Sequence, residues 1–581
     1  MNRVSRSRWY GLPLLSLLLI CSAPGSGRAE ELRVPELILP DDVPASLRSD
    51  LELTSQFMQP NRQAMAGHLA LSRAQSSDLA NIHLLLNNYA YYDPLVTYRT
   101  DVLDVTAIEI DPGPRYQLAT YRLLGLPEGL KFHNPPLGKP ALAAQLVESE
   151  ANNLTALAEA GYALSHYTSR SYVVNHDART LSAELTVEAG PQLQFGTLTF
   201  TGLERTNQRY LQRLVPWQQG QLYAPSVAEN YRQTLLASNL FSTVRVKPAA
   251  TSPDGRTLPV EIEVNERPHR TIGGSLGYDS DRGPGGEAFW QHRNVWGNAE
   301  QLELKAQYYT EQQSLSASLR APNWPNRKTT VFANIELLNE QTDAYNESGI
   351  VTEIGAEHQL TPLWSISAGT RLRFSSVNDE LVSNLAFPLT LTADASDSKL
   401  SPTRGWRSST TLTPVIALSG EQAAYATWQQ RLSGYIPLNH KRSVVFAGWG
   451  RIGGVLAAKA NDIAPTSRFY AGGGGSVRGY AFRSIGKRDA SGDPLGGSAL
   501  AEGGVELRFP IHDNISGVVF AEAGSVSDST LPTFTDTQYA AGLGVRYTTS
   551  FAPLRFDVAV PLNPRNDDDR YQVYISIGQA F

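Results

Sequence analysis

The sequence predicts an α+β chain in two parts: three β-α-α-β-β units, followed by a 16-stranded antiparallel transmembrane β-barrel. Three observations support this prediction. A Gly-Pro motif recurs after 77 residues in the first half, and a further step of 77 residues reaches another proline, which indicates an array of similar units. After Pro268 the helical period gives way to alternating apolar and polar residues between turn-forming clusters. Tyr, Trp and Gly are plentiful, yet no apolar run beyond the N-terminus suits a spanning helix, a combination typical of membrane-spanning strands.

Residues 1–29 are predicted to be a secretory signal peptide. Three arginines precede an apolar run at 12–21, and Gly27-Arg28-Ala29 offers a small-x-small cleavage site. A lipoprotein site at Cys21 is disfavoured, because the bulky Ile20 stands where such a site needs a small residue. Since Cys21 is the only cysteine, we expect the exported chain to carry no disulfide.

The three units are predicted to span 30–113, 114–191 and 192–267. The sequence Gly-Pro-Arg-Tyr at 113–116 recurs as Gly-Pro-Gln-Leu at 190–193, and one further step of 77 residues reaches Pro268. The third unit shows the pattern best: a strand-like run, helical stretches at 207–214 and 226–237, then two alternating strands. We expect paired helices in all three units, with the second helix ending at 90–91, 161–162 and 239–240.

Residues 268–581 are predicted to form the barrel. An even number of strands that closes on itself leaves no unpaired edge in lipid. The sixteen predicted strands lie at about 269–278, 286–296, 299–309, 313–322, 328–340, 348–360, 363–376, 385–395, 405–417, 421–438, 442–455, 496–510, 514–527, 537–550, 552–563 and 570–581.

The first and last strands are predicted to meet at a weak seam that acts as a lateral gate. Glycine-rich strands pack poorly and hold their register weakly. The glycines concerned are Gly273, Gly274, Gly277 and Gly578.

The last strand also ends the chain on an aromatic residue. Its apolar side chains alternate with small or polar ones, so that one face suits lipid. The residues on this face are Tyr571, Val573, Ile575, Ile577 and Phe581. An ordinary terminal edge strand is the alternative, although an open apolar edge in water would invite aggregation.

A glycine run at 472–475 is followed by Val477, Arg478, Gly479 and Tyr480. The residue types allow two interpretations: a flexible surface loop, or a segment in which a desolvated arginine needs an acidic partner. A phosphate-binding loop is disfavoured, because no GK[ST] follows and no strand–loop–helix pattern surrounds the glycines. The strand count places this segment in the sixth extracellular loop, between strands 11 and 12.

These motifs resemble known outer-membrane proteins. The three units resemble the periplasmic POTRA docking domains, and the whole chain resembles the TamA family within the BamA/TamA superfamily of Gram-negative bacteria. The loop Val477–Tyr480 matches the family's VRGY motif, Ser401–Trp406 its P-T-R-G turn, and Gly504–Arg508 and Phe520–Gly524 two of its strands. The departure is Glu522, where the family pattern has Asp. The aromatic end resembles the family's C-terminal assembly signal.

The resemblance has several implications for function. It implies that the loop folds back into the lumen, where we expect Arg478 to pair with Glu522 as first candidate and Glu506 as second, next to Gly524. The resemblance further implies that the chain lies in the cell outer membrane, contacts its lipid, and helps insert or translocate β-barrel proteins such as autotransporters. Its implied partners are a TamB-like inner-membrane-anchored protein and client outer-membrane β-proteins. Three POTRA units favour this family over BamA, which carries five, and over two-partner secretion transporters, which carry two.

Other functions find less support in the sequence. The ten histidines are scattered and the HExxH and G-x-S-x-G motifs are absent, so we expect no enzyme activity, cofactor or metal. A net charge of −6 gives no basic surface for nucleic acid. A passive pore would not need three repeats, whereas a two-partner-type protein export channel stays open as the alternative function.

Overall fold

The computed structural model describes residues 34–59, 67–101, 104–249, 255–279, 281–420, 424–549 and 553–577. The chain divides into two compact units, which are described separately. The first consists of the residues up to Leu193 together with Leu222–Pro225, and the second consists of Gln194–Gln221 and Ser226–Phe581. None of the described helices is long and apolar enough to cross a membrane.

The first repeat has the β-α-α-β-β order that the sequence predicts. Its core is formed by Leu47, Ile82, Leu86 and Ile108, all fully buried. In its sheet the last strand is central, parallel to the first strand and antiparallel to the second. The elements are β1 (Glu36–Ile38), α1 (Ala45–Thr54), α2 (His68–Asn88), β2 (Leu95–Asp101) and β3 (Asp104–Asp111).

The second repeat differs from the prediction, because it has one α-helix where a pair was expected. Its elements are β4 (Gln117–Leu124), α3 (Ala143–Glu159), β5 (His166–Asn175) and β6 (Thr180–Glu188), in the sheet order β4-β6-β5. The segment 125–142 carries four prolines and three glycines, which remove backbone donors and favour turns. Leu126, Leu130 and Phe132 of this segment instead pack directly on the core around Leu157 and Leu185.

The third repeat has both predicted helices. Tyr231 on the second helix is fully buried and donates its hydroxyl to the carbonyl of Leu211 at 2.9 Å, which ties the two helices together. The Trp217 ring stacks on Phe195 with centroids 4.1 Å apart. The elements are β7 (Gln194–Thr201), α4 (Gln208–Leu214), α5 (Pro225–Ala237), β8 (Phe241–Pro248) and β9 (Thr257–Glu266), in the sheet order β7-β9-β8.

The repeats share a backbone conformation at the point where the long helix ends. Ala90, Gly161 and Asn239 have φ angles of 68°, 94° and 58°, in the left-handed region that terminates helices. These are the three positions that the sequence comparison aligned. The 77-residue motif also repeats in geometry, since Gly113 and Gly190 both have φ of 69°.

The barrel is one antiparallel sheet in which each strand pairs with its neighbour in sequence. Its segments are β10 (Arg270–Asp279), β11 (Gly283–His292), β12 (Gln301–Tyr309), β13 (Gln312–Pro322), β14 (Thr329–Gln341), β15 (Asn346–Gln359), β16 (Trp364–Val377), β17 (Glu380–Ala386), β18 (Leu389–Asp394), β19 (Gly405–Ser419), β20 (Ala424–Pro437), β21 (Val445–Leu456), β22 (Ala499–His512), β23 (Ile515–Ser527), β24 (Gln538–Thr548), β25 (Pro553–Pro561) and β26 (Gln572–Ile577).

The described sheet has 17 segments but sixteen strands, as predicted. Segments β17 and β18 both pair with β16 on one side and β19 on the other, so they are two halves of the eighth strand. The interruption falls at Phe387-Pro388, where proline has no N–H to donate to the ladder.

The two ends of the sheet approach each other. Some Cα atoms of β10 and β26 lie within 8 Å, but among the described residues no backbone ladder joins the two strands. The predicted seam glycines behave differently from one another. A Cβ on Gly273 would lie 2.5 Å from the Phe289 ring and one on Gly274 would lie 2.9 Å from the Glu287 carbonyl, whereas Gly277 faces open space. Close packing against β11 therefore explains why Gly273 and Gly274 are glycines, and it does not explain Gly277.

Candidate functional site

The glycine-rich segment lies in the long connection 457–498 between β21 and β22, the eleventh and twelfth barrel strands. This loop is packed tightly, and its Val477, Arg478, Gly479 and Tyr480 are all buried. The flexible-surface interpretation of the glycine run is therefore wrong. The contacts of these residues show what the loop is fastened to.

Arg478 is held by acidic side chains, with only 1% of its own side chain exposed. Glu522 on β23 accepts hydrogen bonds from the Arg478 backbone N–H at 2.7 Å, from Nε at 2.9 Å and from Nη2 at 2.5 Å. Glu506 on β22 accepts from Nη2 at 3.2 Å. Both candidate partners thus contact Arg478, and the longer Glu522 reaches its backbone and its guanidinium together. Charge-assisted bonds of this forked kind fix both position and orientation.

A third carboxylate, Asp557 on β25, accepts from Arg478 Nη1 at 2.9 Å. The Arg478 guanidinium also lies over the Phe520 ring, 3.4 Å from its centroid. Further arginines compensate the buried acids: Arg508 Nε lies 2.7 Å from Glu506, Arg555 Nε lies 2.5 Å from Asp557, and Arg546 also pairs with Asp557. We call this group the ion cluster, and it consists of Arg478, Arg508, Arg546, Arg555, Glu506, Glu522 and Asp557.

Glycines on the neighbouring strands make room for these carboxylates. Gly504 stands opposite Glu522 in the ladder, and a Cβ there would lie 2.6 Å from the Glu522 Cγ. Gly544 stands opposite Asp557, and a Cβ there would lie 2.7 Å from the Arg546 guanidinium. Larger residues at either position would push the acids away from Arg478.

An apolar contact supports the ionic one. Val477 is fully buried beside Ala471, Leu500 and Ala540. Gly524 on β23 leaves the space for it, because a Cβ at Gly524 would lie 2.7 Å from Val477 Cγ2. Tyr480 extends along the wall and donates its hydroxyl to the Tyr539 carbonyl at 3.2 Å and to Asn563 at 3.1 Å.

The loop also contacts both ends of the sheet. On the first hairpin, Asp281 accepts hydrogen bonds from the Gly474 N–H at 3.0 Å. On the last strand, the Tyr574 hydroxyl accepts from the Gly479 N–H at 3.1 Å and donates to the Tyr480 carbonyl at 2.9 Å. The loop backbone therefore bridges β10–β11 and β26, the two sides that no ladder joins among the described residues.

A second ionic contact holds the start of the loop motif. Ser476 donates its hydroxyl to Glu502 on β22, and Glu502 also pairs with Arg451 Nε at 2.6 Å. The same hydroxyl accepts from the Gly472 N–H at 2.9 Å, which fixes the tight glycine turn.

The predicted C-terminal residues fall on the outer face where they are described. Tyr571 and Ile575 are 63% and 43% exposed, and Val573 is partly exposed. Ile577 ends β26, its side chain is outside the described residues, and Gly578 and Phe581 lie beyond them altogether.

Sequence reasoning missed several residues that hold the loop in place, among them Asp281, Asp557 and Tyr574. For Asp557 and Tyr574 a signal was available, because both occupy inward-facing positions in strands whose other faces suit lipid, and a charged or large residue there needs a partner in the lumen. Asp281 gave no such signal, since it lies in a turn among other polar residues.

This site fixes the loop to the barrel wall. Every charged group in the ion cluster contacts an opposite charge, and among the described residues no group of His, Cys, Asp or Glu could hold a metal ion. Removing one member of such a buried pair leaves an uncompensated charge. The buried ion pairs therefore strongly stabilise a single arrangement of the loop against the barrel wall.

Comparisons with known proteins agree with this architecture. Residues 294–581 match the family model described as the Omp85 superfamily domain, and residues 194–267 match the POTRA model, described as a surface antigen variable number repeat. The chain is 22% identical over 541 residues to an outer membrane protein assembly factor BamA of Nitratidesulfovibrio vulgaris, covering 87% of this chain and 67% of that protein. It is 27% identical over 376 residues to a SAM50-like protein of Schizosaccharomyces pombe, covering 58% of this chain and 77% of that protein.

A solved structure shares the fold. BamA from Haemophilus ducreyi lacking POTRA domains 1–3 aligns with a TM-score of 0.69 at 19% identity, covering 79% of this chain and 99% of that one. The comparison confirms POTRA domains followed by a large antiparallel barrel sheet.

Proposed function

Taking the chain as an Omp85 superfamily protein with a POTRA domain, we propose that it is an outer-membrane assembly factor that inserts or translocates β-barrel proteins. It resides in the cell outer membrane, with its N-terminal domains in the periplasm. We assign it no catalytic step: the work is done by docking a client and by opening the barrel wall.

The observation that carries this proposal is the loop across the seam. Asp281 on the first hairpin and Tyr574 on the last strand both bind the loop backbone, while the strands themselves lack a described ladder. A wall held by a removable loop can open laterally to a client strand, whose backbone would then pair with the exposed edge. A fully laddered seam would have to break many backbone hydrogen bonds first.

The POTRA units offer edges for docking. In the second repeat β5 is an outer strand of its sheet, and Val173 and Tyr172 on it are 59% and 40% exposed. An exposed strand edge can add a strand of an incoming chain. We propose that client outer-membrane β-proteins such as autotransporters, and a TamB-like inner-membrane-anchored partner, bind along these units.

Disulfide locking of the seam tests the gate. Cysteine pairs scanned between 271–276 and 573–577 should include pairs within bonding reach, because Cα atoms of the two strands approach within 8 Å. The locked protein should lose insertion of an autotransporter β-domain into proteoliposomes, and reductant should restore it. The control pairs join β10 to β11, which are already laddered. Full activity of the oxidised seam variant would refute the gate.

Affinity capture and secretion assays separate the finer alternatives. Capture of the full chain from membranes should retain a long inner-membrane-anchored partner. A deletion strain should accumulate misassembled autotransporters. If that strain instead loses one secreted soluble protein and keeps its autotransporters intact, the chain is a two-partner-type export channel.

A further inference from the structure

A cleft of about 870 Å³ lies between helix α4 of the third repeat and two turns of the barrel rim. Its walls include Arg209 and Arg213 from α4, Trp296 and Trp324 from the two turns, and Val331 from β14. We propose that this cleft binds the headgroup of an anionic phospholipid from the membrane leaflet on the POTRA side. The site goes beyond the assembly function and does not depend on it.

The cleft opens onto the lipid-facing surface. Val331 has the same strand parity as Ile335 and Leu337, which are 43% and 49% exposed apolar residues on the outside of the barrel. Ala321, paired with Val331 across the ladder, lines the cleft as well. The floor of the cleft is thus continuous with the surface that acyl chains cover.

Two tryptophans mark the level of the membrane boundary. Trp296 and Trp324 are 61% and 52% exposed and lie in the connections β11–β12 and β13–β14. Both connections are on the rim next to the third repeat, because β10 starts directly after β9. Tryptophan concentrates at the headgroup level of membranes, where its ring is apolar and its N–H is polar. A headgroup at this depth would be flanked by both rings.

The two arginines that line the cleft make few polar contacts within the described part of the chain. Within the described part of the chain, the Arg209 guanidinium has no hydrogen-bond or ion-pair partner, and Arg213 has only a 3.5 Å contact to Asn298 and a distant stacking on Tyr210. The nearby acid, Glu300, accepts from the backbone N–H groups of Trp296 at 3.2 Å and Asn298 at 2.9 Å.

Glu300 is therefore occupied in holding its own turn, and it is 8% exposed. Two exposed guanidiniums side by side on one helix face suit the planar, forked recognition of a phosphate. A zwitterionic headgroup would bring an ammonium into the same positive field, so the charge favours an anionic lipid.

The cleft is held open by fixed contacts. Asn207 donates its amide to the Trp296 carbonyl at 2.9 Å, and the Asn323 amide donates to the Tyr210 hydroxyl at 3.0 Å. Gly297 has a backbone dihedral φ of 92°, and its lack of a Cβ lets the rim turn approach, because a Cβ there would lie 2.8 Å from the Arg205 carbonyl oxygen. A preformed cleft spends no binding energy on ordering its walls.

Native mass spectrometry of the purified full chain tests the site. Protein in detergent is offered phosphatidylglycerol and phosphatidylcholine in equal amounts, and retained lipid is counted. The intact chain should retain phosphatidylglycerol preferentially, and the double variant R209Q/R213Q should lower that preference by roughly 25-fold, since each cationic side chain near lipid contributes about a factor of five. Heat-modified mobility on gels verifies that the barrel of each variant is folded.

The matched control is R245Q/K247Q, which removes two positive charges from β8 of the same repeat, where both pair with Glu263. This control should keep the preference of the intact chain. Equal loss in both double variants, or an unchanged preference in R209Q/R213Q, overturns the site. Complete displacement of the lipid by millimolar inorganic phosphate also overturns it, because it would make free phosphate the ligand.

Discussion

At the scale of single residues, Arg478 couples the loop to three barrel strands. Its guanidinium and backbone contact Glu522, Glu506 and Asp557, each of which is buried. Burying this charge is costly, and the cost is offset only while all partners remain in place. The arrangement therefore resists partial loosening: the loop is either seated with its charges paired or displaced, with the buried Glu522 deprived of its ion pair with Arg478.

The substitution Arg478→Ala should destabilise the seated loop by about 3–5 kcal/mol, because it removes the ion pair of the buried Glu522 and one partner each of Glu506 and Asp557. The measurement is urea titration of the heat-modified gel mobility, which reports the folded barrel. Lys487→Ala is the control in the same loop. Its pair with Asp528 is exposed and should be worth about 1 kcal/mol or less. Equal midpoints for the two variants would contradict a special role for Arg478.

Asp78 in the first repeat should make that repeat sensitive to pH. Burial raises the pKa of Asp78, although Tyr98, the Gln56 N–H and Ser55 donate hydrogen bonds that lower it. Because the pKa is higher in the folded state than in the unfolded one, folding takes up a proton in the window between the two values. The contribution to stability is fully present below the unfolded pKa and is lost as the pH rises through the folded one.

Amide hydrogen exchange in α2, corrected for the intrinsic rate, measures this effect. Protection in the wild-type chain should increase as the pH falls through this window, and Asp78→Asn should flatten the dependence because its side chain cannot titrate. The half-buried Asp50, which accepts a hydrogen bond from the Tyr89 hydroxyl, supplies the control variant Asp50→Asn. A pH dependence that survives unchanged in Asp78→Asn would assign it to other groups.

At the scale of elements, the strand positions follow closely from the sequence. Turn clusters and two-residue alternation placed most barrel strands within a few residues of their observed limits, since a wall between lipid and lumen imposes that alternation on each strand. The missing helix of the second repeat shows the limit of arguing by repetition. The prolines at 127, 135, 136 and 140 rule out a helix locally, whatever the neighbouring repeats contain.

The close packing of Val477 on Gly524 predicts that the stability of the barrel depends on how the loop packs against strand β23. Gly524→Ala places a methyl group 2.7 Å from Val477 Cγ2, so the loop should lift and the barrel should unfold at lower urea. Val477→Ala alone should also destabilise, through the cavity it leaves. The double variant should be more stable than the sum of the two single effects implies, because the new methyl group fills the vacated space. Strict additivity in the double-mutant cycle would show that the two residues do not share this space.

At the scale of the whole molecule, the residues that sequence reasoning missed are those joined by closure of the sheet. Asp281 and Gly474 are 193 residues apart, and Gly479 and Tyr574 are 95 apart. Local patterns determine each strand, but they contain no information on which loop residue meets which wall position. The Arg478–Glu522 contact could be anticipated only through resemblance to a family motif, and Asp557 was left out because that motif did not include it.

The contacts of the loop with both ends of the sheet predict that loosening the loop widens the seam. Spin labels at Leu276→Cys and Ile575→Cys lie on the outer faces of β10 and β26, where the native side chains are 94% and 43% exposed. Electron paramagnetic resonance should give a short, narrow distance distribution in the otherwise native chain. Asp281→Ala removes the acceptor of the Gly474 N–H and should broaden the distribution toward longer distances, and Arg478→Ala should broaden it further. Asp528→Ala, which removes an exposed pair of the same loop, should leave it narrow. Identical distributions in all four proteins would mean that the loop does not hold the seam, and the wall would then need another explanation for its closure.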